Sequence, residues 1–322
     1  MRLPLLFAGI LVAGLTGCGY IGEPLPPALK RPGRVTDLAA VERGSNLIVQ
    51  FTVPTLTTEG LPIPADAAIE LFVGAAPAGE FQTDAWQKSA ERFTDISKDQ
   101  PVALKEIPAM KYYGKTVVIA LQVLGPKGRS AGWSNFETVP VIPALPMPVG
   151  VTPADAPDAI RLEWRAAAPE FRIFRKAPDE VGFMQVGTST MTSYTDNTID
   201  YGKTYQYFVQ SVEKTDNKYA ESDLSATVTF MPVDKFPPAV PTGLTAVPGA
   251  RTIELAWERS GERDFAGYNV YRNGQKIAEN LTAPAYSDKN VEPGMRYQYQ
   301  VSALDMVGNE SAKSAAIESG IQ

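Results

Sequence analysis

Three stretches of this chain follow one pattern: "NLIVQF" (46–51), "AIRLEW" (159–164) and "TIELAW" (252–257). Each alternates apolar with polar residues and closes on a large aromatic. Leu47, Val49 and Phe51 fall in phase with Ile160, Leu162 and Trp164, and again with Ile253, Leu255 and Trp257. A period of two places these side chains on one face of a strand, the buried one. A second strand follows each time, in "IELFV" (69–73), "FRIFR" (171–175) and "YNVYR" (268–272). A third comes after a turn signal, in "YGKTVVIALQV" (113–123), "YGKTYQYFVQSV" (201–212) and "PGMRYQYQVSAL" (293–304). Trp164 and Trp257 are 93 positions apart, and Tyr205 and Tyr297 are 92 apart, so independent landmarks give one period. One unit is used three times.

A unit of about 90–100 residues made of alternating strands has the size of an antiparallel β-sandwich. Residues 145–322 resemble the fibronectin type III family through Trp164 and Trp257 on the first strand and through Tyr205 and Tyr297 four residues after the turn. "GYNVYRNG" (267–274) and "ALDMVGNESAKS" (303–314) carry the likeness to bacterial members. The resemblance implies an all-β chain of three tandem immunoglobulin-like antiparallel sandwiches. It makes the tryptophans core residues and the tyrosines corner residues whose hydroxyls bond back to nearby backbone.

The first unit departs from this pattern, with Phe51 in place of the tryptophan and Val117 in place of the corner tyrosine. Phe51 and Val117 are 66 positions apart, against 41 for Trp164–Tyr205 and 40 for Trp257–Tyr297, so about 25 extra residues lie inside it. Its strand phase still predicts the same fold, with a different sandwich as the alternative. The proline clusters "VIPALPMP" (141–148) and "MPVDKFPPAVP" (231–241) mark boundaries, because proline cannot donate to a ladder. The expected units are 35–143, 144–236 and 237–322. A short helix is expected over Ala85–Arg92.

Upstream stands the only cysteine of the chain. Residues 1–17 read as a secretion signal: Met1-Arg2, then an apolar run from Leu3 to Leu15 ending in Thr16 and Gly17. The run is shorter than the roughly 18 residues of a permanent membrane helix. Leu15-Thr16-Gly17-Cys18 resembles the bacterial lipobox. That resemblance implies a diacylglyceryl group on the Cys18 sulfur, cleavage before it, and acylation of the new amino terminus by a fatty acid such as palmitate. Buried methylenes contribute about 0.8 kcal/mol each, so two or three chains anchor a protein firmly. Gly19, where an aspartate would retain the protein in the inner membrane, implies outer-membrane sorting. Residues 18–34, with Pro24, Pro26, Pro27 and Pro32, read as an extended tether. An ordinary signal peptide that happens to hold a cysteine is the alternative.

Composition excludes most chemistry. A net charge of −6 and a pI near 5.0 argue against a nucleic-acid partner. With no histidine and one thiol, zinc sites and serine–histidine or cysteine–histidine catalysis are out of reach. Phosphate-loop and calcium-loop motifs are missing, and "DNKYAESD" (216–223) reads as a solvated turn. No catalytic residue, metal or cofactor is expected.

Two features can carry recognition. Phe72, Phe174 and Tyr271 follow buried strand residues by one, so alternation turns them outward. There they either meet a partner or sugar ring, or pack beneath a neighbouring element. The other feature is the 52–68 stretch between strands, either a binding loop or a tolerated insertion. The expected function is a non-catalytic, membrane-anchored lipoprotein of the bacterial cell envelope, a spacer and protein-interaction scaffold for an envelope protein. The alternative is a carbohydrate-binding module facing peptidoglycan or exopolysaccharide.

Overall fold

The computed structural model describes residues 30–322. The expected signal sequence, Cys18 and most of the tether lie outside the described residues.

The first unit contains β1 (Ala39–Arg43), β2 (Asn46–Thr52), β3 (Ala68–Ala75), helix α1 (Thr83–Ser89), β4 (Glu91–Phe93), β5 (Val102–Pro108), β6 (Lys115–Leu124) and β7 (Glu137–Val141). Strands β1-β2-β5 form one layer and β4-β3-β6-β7 the other. Leu47, Val49 and Phe51 from β2 pack between the layers with Leu71 and Val73 from β3 and Val117 and Ile119 from β6. The second unit repeats this with β8 (Val149–Ala156), β9 (Ala159–Arg165), β10 (Glu170–Lys176), β11 (Met184–Ser189), β12 (Ser193–Asp196), β13 (Tyr205–Thr215), β14 (Lys218–Glu221) and β15 (Val228–Phe230). The third does so with β16 (Thr245–Pro248), β17 (Ile253–Ala256), β18 (Phe265–Arg272), β19 (Gln275–Leu281), β20 (Ala285–Asp288), β21 (Arg296–Asp305) and β22 (Ile317–Gly320). Their layers are β8-β9-β12 against β11-β10-β13, and β16-β17-β20 against β19-β18-β21-β22. The fold is three fibronectin type III-like sandwiches in tandem, antiparallel within each unit.

Trp164 and Trp257 are buried at 4% and 6% exposure, and each meets the next aromatic edge-on, Phe171 at 5.3 Å and Tyr268 at 5.2 Å. Both corner tyrosines close: Tyr205 Oη accepts the Asp200 N–H at 2.9 Å, and Tyr297 Oη accepts the Glu292 N–H at 3.0 Å. The last strand of each unit is irregular, and serine hydroxyls take over its ladder. Ser222 and Ser225 Oγ accept from Ser211 and Val209 N–H, Ser311 and Ser314 Oγ from Ala303 and Val301 N–H, and Ser134 Oγ from Leu121 N–H. These buried donors would otherwise lack partners.

The extra residues of the first unit fall in two places. Residues 53–67 separate β2 from β3, against 166–169 between β9 and β10 and 257–264 between β17 and β18. Residues 76–101 lie between β3 and β5 and hold α1 and β4. The helix starts at Thr83, two residues before the expected Ala85. It stops at Ser89, because Glu91–Phe93 pairs with Leu71–Val73 as an edge strand.

Sandwiches two and three share a network that the first lacks. Arg175 Nη1 donates to Asp196 Oδ2 at 2.9 Å, and Tyr207 Oη donates to the same oxygen at 2.9 Å. In the third, Arg272 Nη1 and Tyr299 Oη meet Asp288 Oδ2 at 2.9 and 2.8 Å. Each guanidinium also lies over the corner tyrosine, 5.4 Å from the Tyr205 ring centre and 5.2 Å from that of Tyr297. Strand register identifies the counterparts in the first sandwich. Arg175 pairs with Tyr207, Arg272 with Tyr299 and Val73 with Ile119, while Asp196 faces Ile160, Asp288 faces Ile253 and Ile107 faces Leu47. Val73, Ile107 and Ile119 therefore fill with hydrocarbon the space that an ion pair and a phenol occupy elsewhere. Burial alone would raise the Asp196 carboxyl, but hydrogen bonds from Thr198 and Tyr207 and the Arg175 charge hold it below the usual range.

Candidate interaction surfaces

Alternation turns Phe72, Phe174 and Tyr271 to the outer sheet faces as expected, but the structure buries Phe72 and Tyr271 and stacks one face of Phe174 on a neighbouring ring. Phe72 is 4% exposed because α1 lies over it; its ring meets Trp133 at 5.2 Å and Trp86 at 6.4 Å. Tyr271 is 8% exposed, hydrogen-bonded to Glu310 and capped by the Lys313 ammonium 3.7 Å above the ring. Phe174 is half-buried and stacks on Phe208 at 4.6 Å, and Phe208 also meets Phe183 at 4.8 Å. For Phe72 and Tyr271 these contacts are packing against adjacent elements of the same sandwich.

What is open instead is an apolar groove of about 460 Å³ on the first sandwich. Ala76, Pro77, Phe81, Val118, Phe136 and Thr138 line it. Phe81 and Phe136, each 37% exposed, meet edge-on at 5.3 Å and stand in front of Trp86 and Trp133. The residues of the β3–β5 insertion supply Phe81 and Trp86. A sequence signal existed: two of the four tryptophans, Trp86 and Trp133, fall outside the repeated core position of Trp164 and Trp257.

The joints between sandwiches differ. At the first, β1 pairs parallel with β14 (Glu42 with Ala220, Arg43 with Glu221), so one sheet runs β11-β10-β13-β14-β1-β2-β5 through two units. "DNKYAESD", expected to be a solvated turn, contains β14 and so supplies the docking strand. Glu221 Oε2 accepts from Arg43 Nε and Nη2 at 3.1 and 2.8 Å, and its Oε1 accepts from Arg172 Nη1 at 2.9 Å. Lys218 of β14 reaches Glu137 of β7 at 2.6 Å. Gly44 completes the seam. Its N–H donates to Glu221 O, its φ is +55°, and a Cβ there would lie 2.6 Å from the Asp223 carboxylate oxygens.

The second joint has no strand pairing among the described residues. It is acidic: one carboxylate oxygen each from Asp234, Asp264 and Asp305 lies within 4.8 Å of the others. Burial, and then the Asp305 and Asp264 charges, push the Asp234 carboxyl up. Asp305 already accepts from Val307 and Asn309 N–H and from the Asn309 amide.

No protein-family model matches the chain. Among curated proteins, it is 30% identical over 185 residues to exoglucanase B of Cellulomonas fimi, which covers 56% of this chain and 16% of that enzyme. It is 39% identical over 83 residues to amylopullulanase of Thermoanaerobacterium saccharolyticum (24% of this chain, 6% of the enzyme). It is 34% identical over 110 residues to chitinase A1 of Niallia circulans (32% of this chain, 15% of the enzyme). The chain thus spans under a fifth of each of these relatives. The likeness is to fibronectin type III-like segments of polysaccharide-degrading enzymes. A crystal structure of the chicken CNTN1 FN1–FN3 domains aligns over 90% of this chain at 15% identity with a TM-score of 0.29. The fold assignment rests on the strand pairings, not on that superposition.

Proposed function

We propose that this chain is a non-catalytic lipoprotein of the bacterial cell envelope, held to the membrane through lipid on Cys18 and acting as a spacer and protein-interaction scaffold. The observation that carries this reading is the tandem array itself. Two sandwiches are fused through one sheet, and the first bears an apolar, aromatic-rimmed groove. The enzymes it resembles match it only over small non-catalytic shares of their length. Units 35–143, 144–236 and 237–322 then stand on the 18–34 tether. A partner on the same membrane meets the groove at raised effective concentration, so modest contacts suffice.

Replacing Cys18 by serine is expected to move the protein from the membrane to the soluble fraction and remove all acyl mass from its amino-terminal peptide. Full membrane retention of that variant overturns the anchor. An envelope protein captured by the native chain should be lost on Phe136→Ala, by about tenfold or more in Kd if this ring is a hot spot.

A second reading, binding of peptidoglycan or exopolysaccharide, is favoured by the polysaccharide-degrading relatives. Capture of the chain on purified glycan without any protein partner, again reduced by Phe136→Ala, would select it.

A further inference from the structure

Glu42 is 1% exposed at the seam between the first two sandwiches. Its Oε2 accepts the Ile142 N–H at 3.0 Å, where the chain leaves β7 for the second unit, and its Oε1 has no hydrogen-bond partner among the described residues. The surrounding charges are engaged elsewhere. Arg43, next on the same strand, is held by Glu221 of β14, which also takes Arg172 of β10. Lys218 of β14 is held by Glu137 of β7, and Glu213 of β13 sits opposite Ala220, the residue that pairs with Glu42. The β2 residue facing Glu42 is Leu47.

An ionised carboxylate with one hydrogen bond in such a place is costly. Burial pushes the Glu42 carboxyl up to about 7, against the smaller pull of the Ile142 N–H. The strain has one weak outlet. The β1–β14 ladder holds two residue pairs, whereas β1–β2 holds five and β2–β5 seven. Parting the seam hydrates the carboxylate while both cores stay intact.

We propose that ionisation of Glu42 opens this seam, making the joint between the first two sandwiches a pH-gated hinge, closed in acid and loosened as the pH rises to neutral. The sign follows from linkage. At low pH the carboxyl is neutral whether the seam is closed or open. Above its ordinary value of 4.5 only the open form ionises, so the closed form loses about tenfold in relative population per pH unit until about pH 7. With no histidine in the chain, no imidazole titrates in this window.

Amide hydrogen exchange in the full chain from pH 5 to 8, corrected for base catalysis, tests the hinge. Protection of the Gly44 and Ile142 amides should fall about 40-fold between pH 5 and 7. In Glu42→Gln, neutral at every pH and still able to accept the Ile142 N–H, it should stay constant. A flat wild-type profile, or the same slope in both proteins, overturns the proposal. Should the variant fail to fold, carbon-13 titration of the Glu42 carboxyl in the native chain decides: a midpoint near 7 supports the hinge and one near 4.5 overturns it. Neither readout depends on lipid at Cys18, so failure here leaves the scaffold reading standing.

Discussion

Asp288→Ala is expected to destabilise the third sandwich by about 3–5 kcal/mol, because it leaves the Arg272 guanidinium and the Tyr299 hydroxyl without their shared acceptor. The readout is the unfolding transition of that unit in urea or by calorimetry, which should move while the remainder of the profile stays in place. The first sandwich supplies the control. It carries Val73, Ile107 and Ile119 at the corresponding positions, all fully buried. Converting Arg272, Asp288 and Tyr299 together to valine, isoleucine and isoleucine is therefore expected to cost far less than the single change, since the hydrocarbon replacement leaves no orphaned charge. Equal losses in the single and triple variants would refute this account. The matching Asp196 gives a pH dependence of definite sign. Its carboxyl is held below the ordinary value of 3.8, so its contribution is complete above that value and is lost as acid takes the pH down through its depressed range.

Trp164→Ala should cost about 3–5 kcal/mol, the range for emptying a buried aromatic site, and its effect should reach beyond its own unit. Strand β14 of the second sandwich is hydrogen-bonded to β1 of the first, and Glu221 binds Arg43 across the same boundary. The two units are thus expected to unfold in one transition, with Trp164→Ala lowering it for probes in either sandwich. Trp257→Ala should lower only the third, which shares no ladder with its neighbour among the described residues. Following Trp86 fluorescence in the Trp164→Ala protein tests this directly. An unchanged Trp86 transition would mean that the shared sheet does not couple the units.

The fold was legible because its signals are local and repeated. Period-two alternation through Leu47, Ile160 and Ile253 placed the core strands, and the Trp–Tyr spacing placed the units in register. The Arg–Asp–Tyr network was written there too, in "FRIFR", "SYTD" and "YQYFV", but an ion pair is recognisable only once the register of three strands is known. Outward orientation of Phe72 and Tyr271 was also readable, whereas their cover was not. The cover comes from α1, in an insertion with no counterpart in the repeat, in one case, and from Lys313, 42 positions along the chain, in the other. The seam was invisible for a similar reason. A parallel pairing of two residues between Glu42 and Ala220, 178 positions apart, leaves no periodic trace.

The shared sheet has a mechanical corollary. If the amino end is fixed and the far end is pulled, the first proline-rich stretch cannot act as a swivel while the seam is closed, since β1 and β14 then clamp the units on either side of it. The second stretch is held through side chains, Asp155 accepting from Val233 N–H at 2.9 Å and Lys235 Nζ at 2.8 Å, so bending there breaks no ladder among the described residues. With the seam closed, the groove on the first sandwich and the surface of the second keep one fixed separation and orientation.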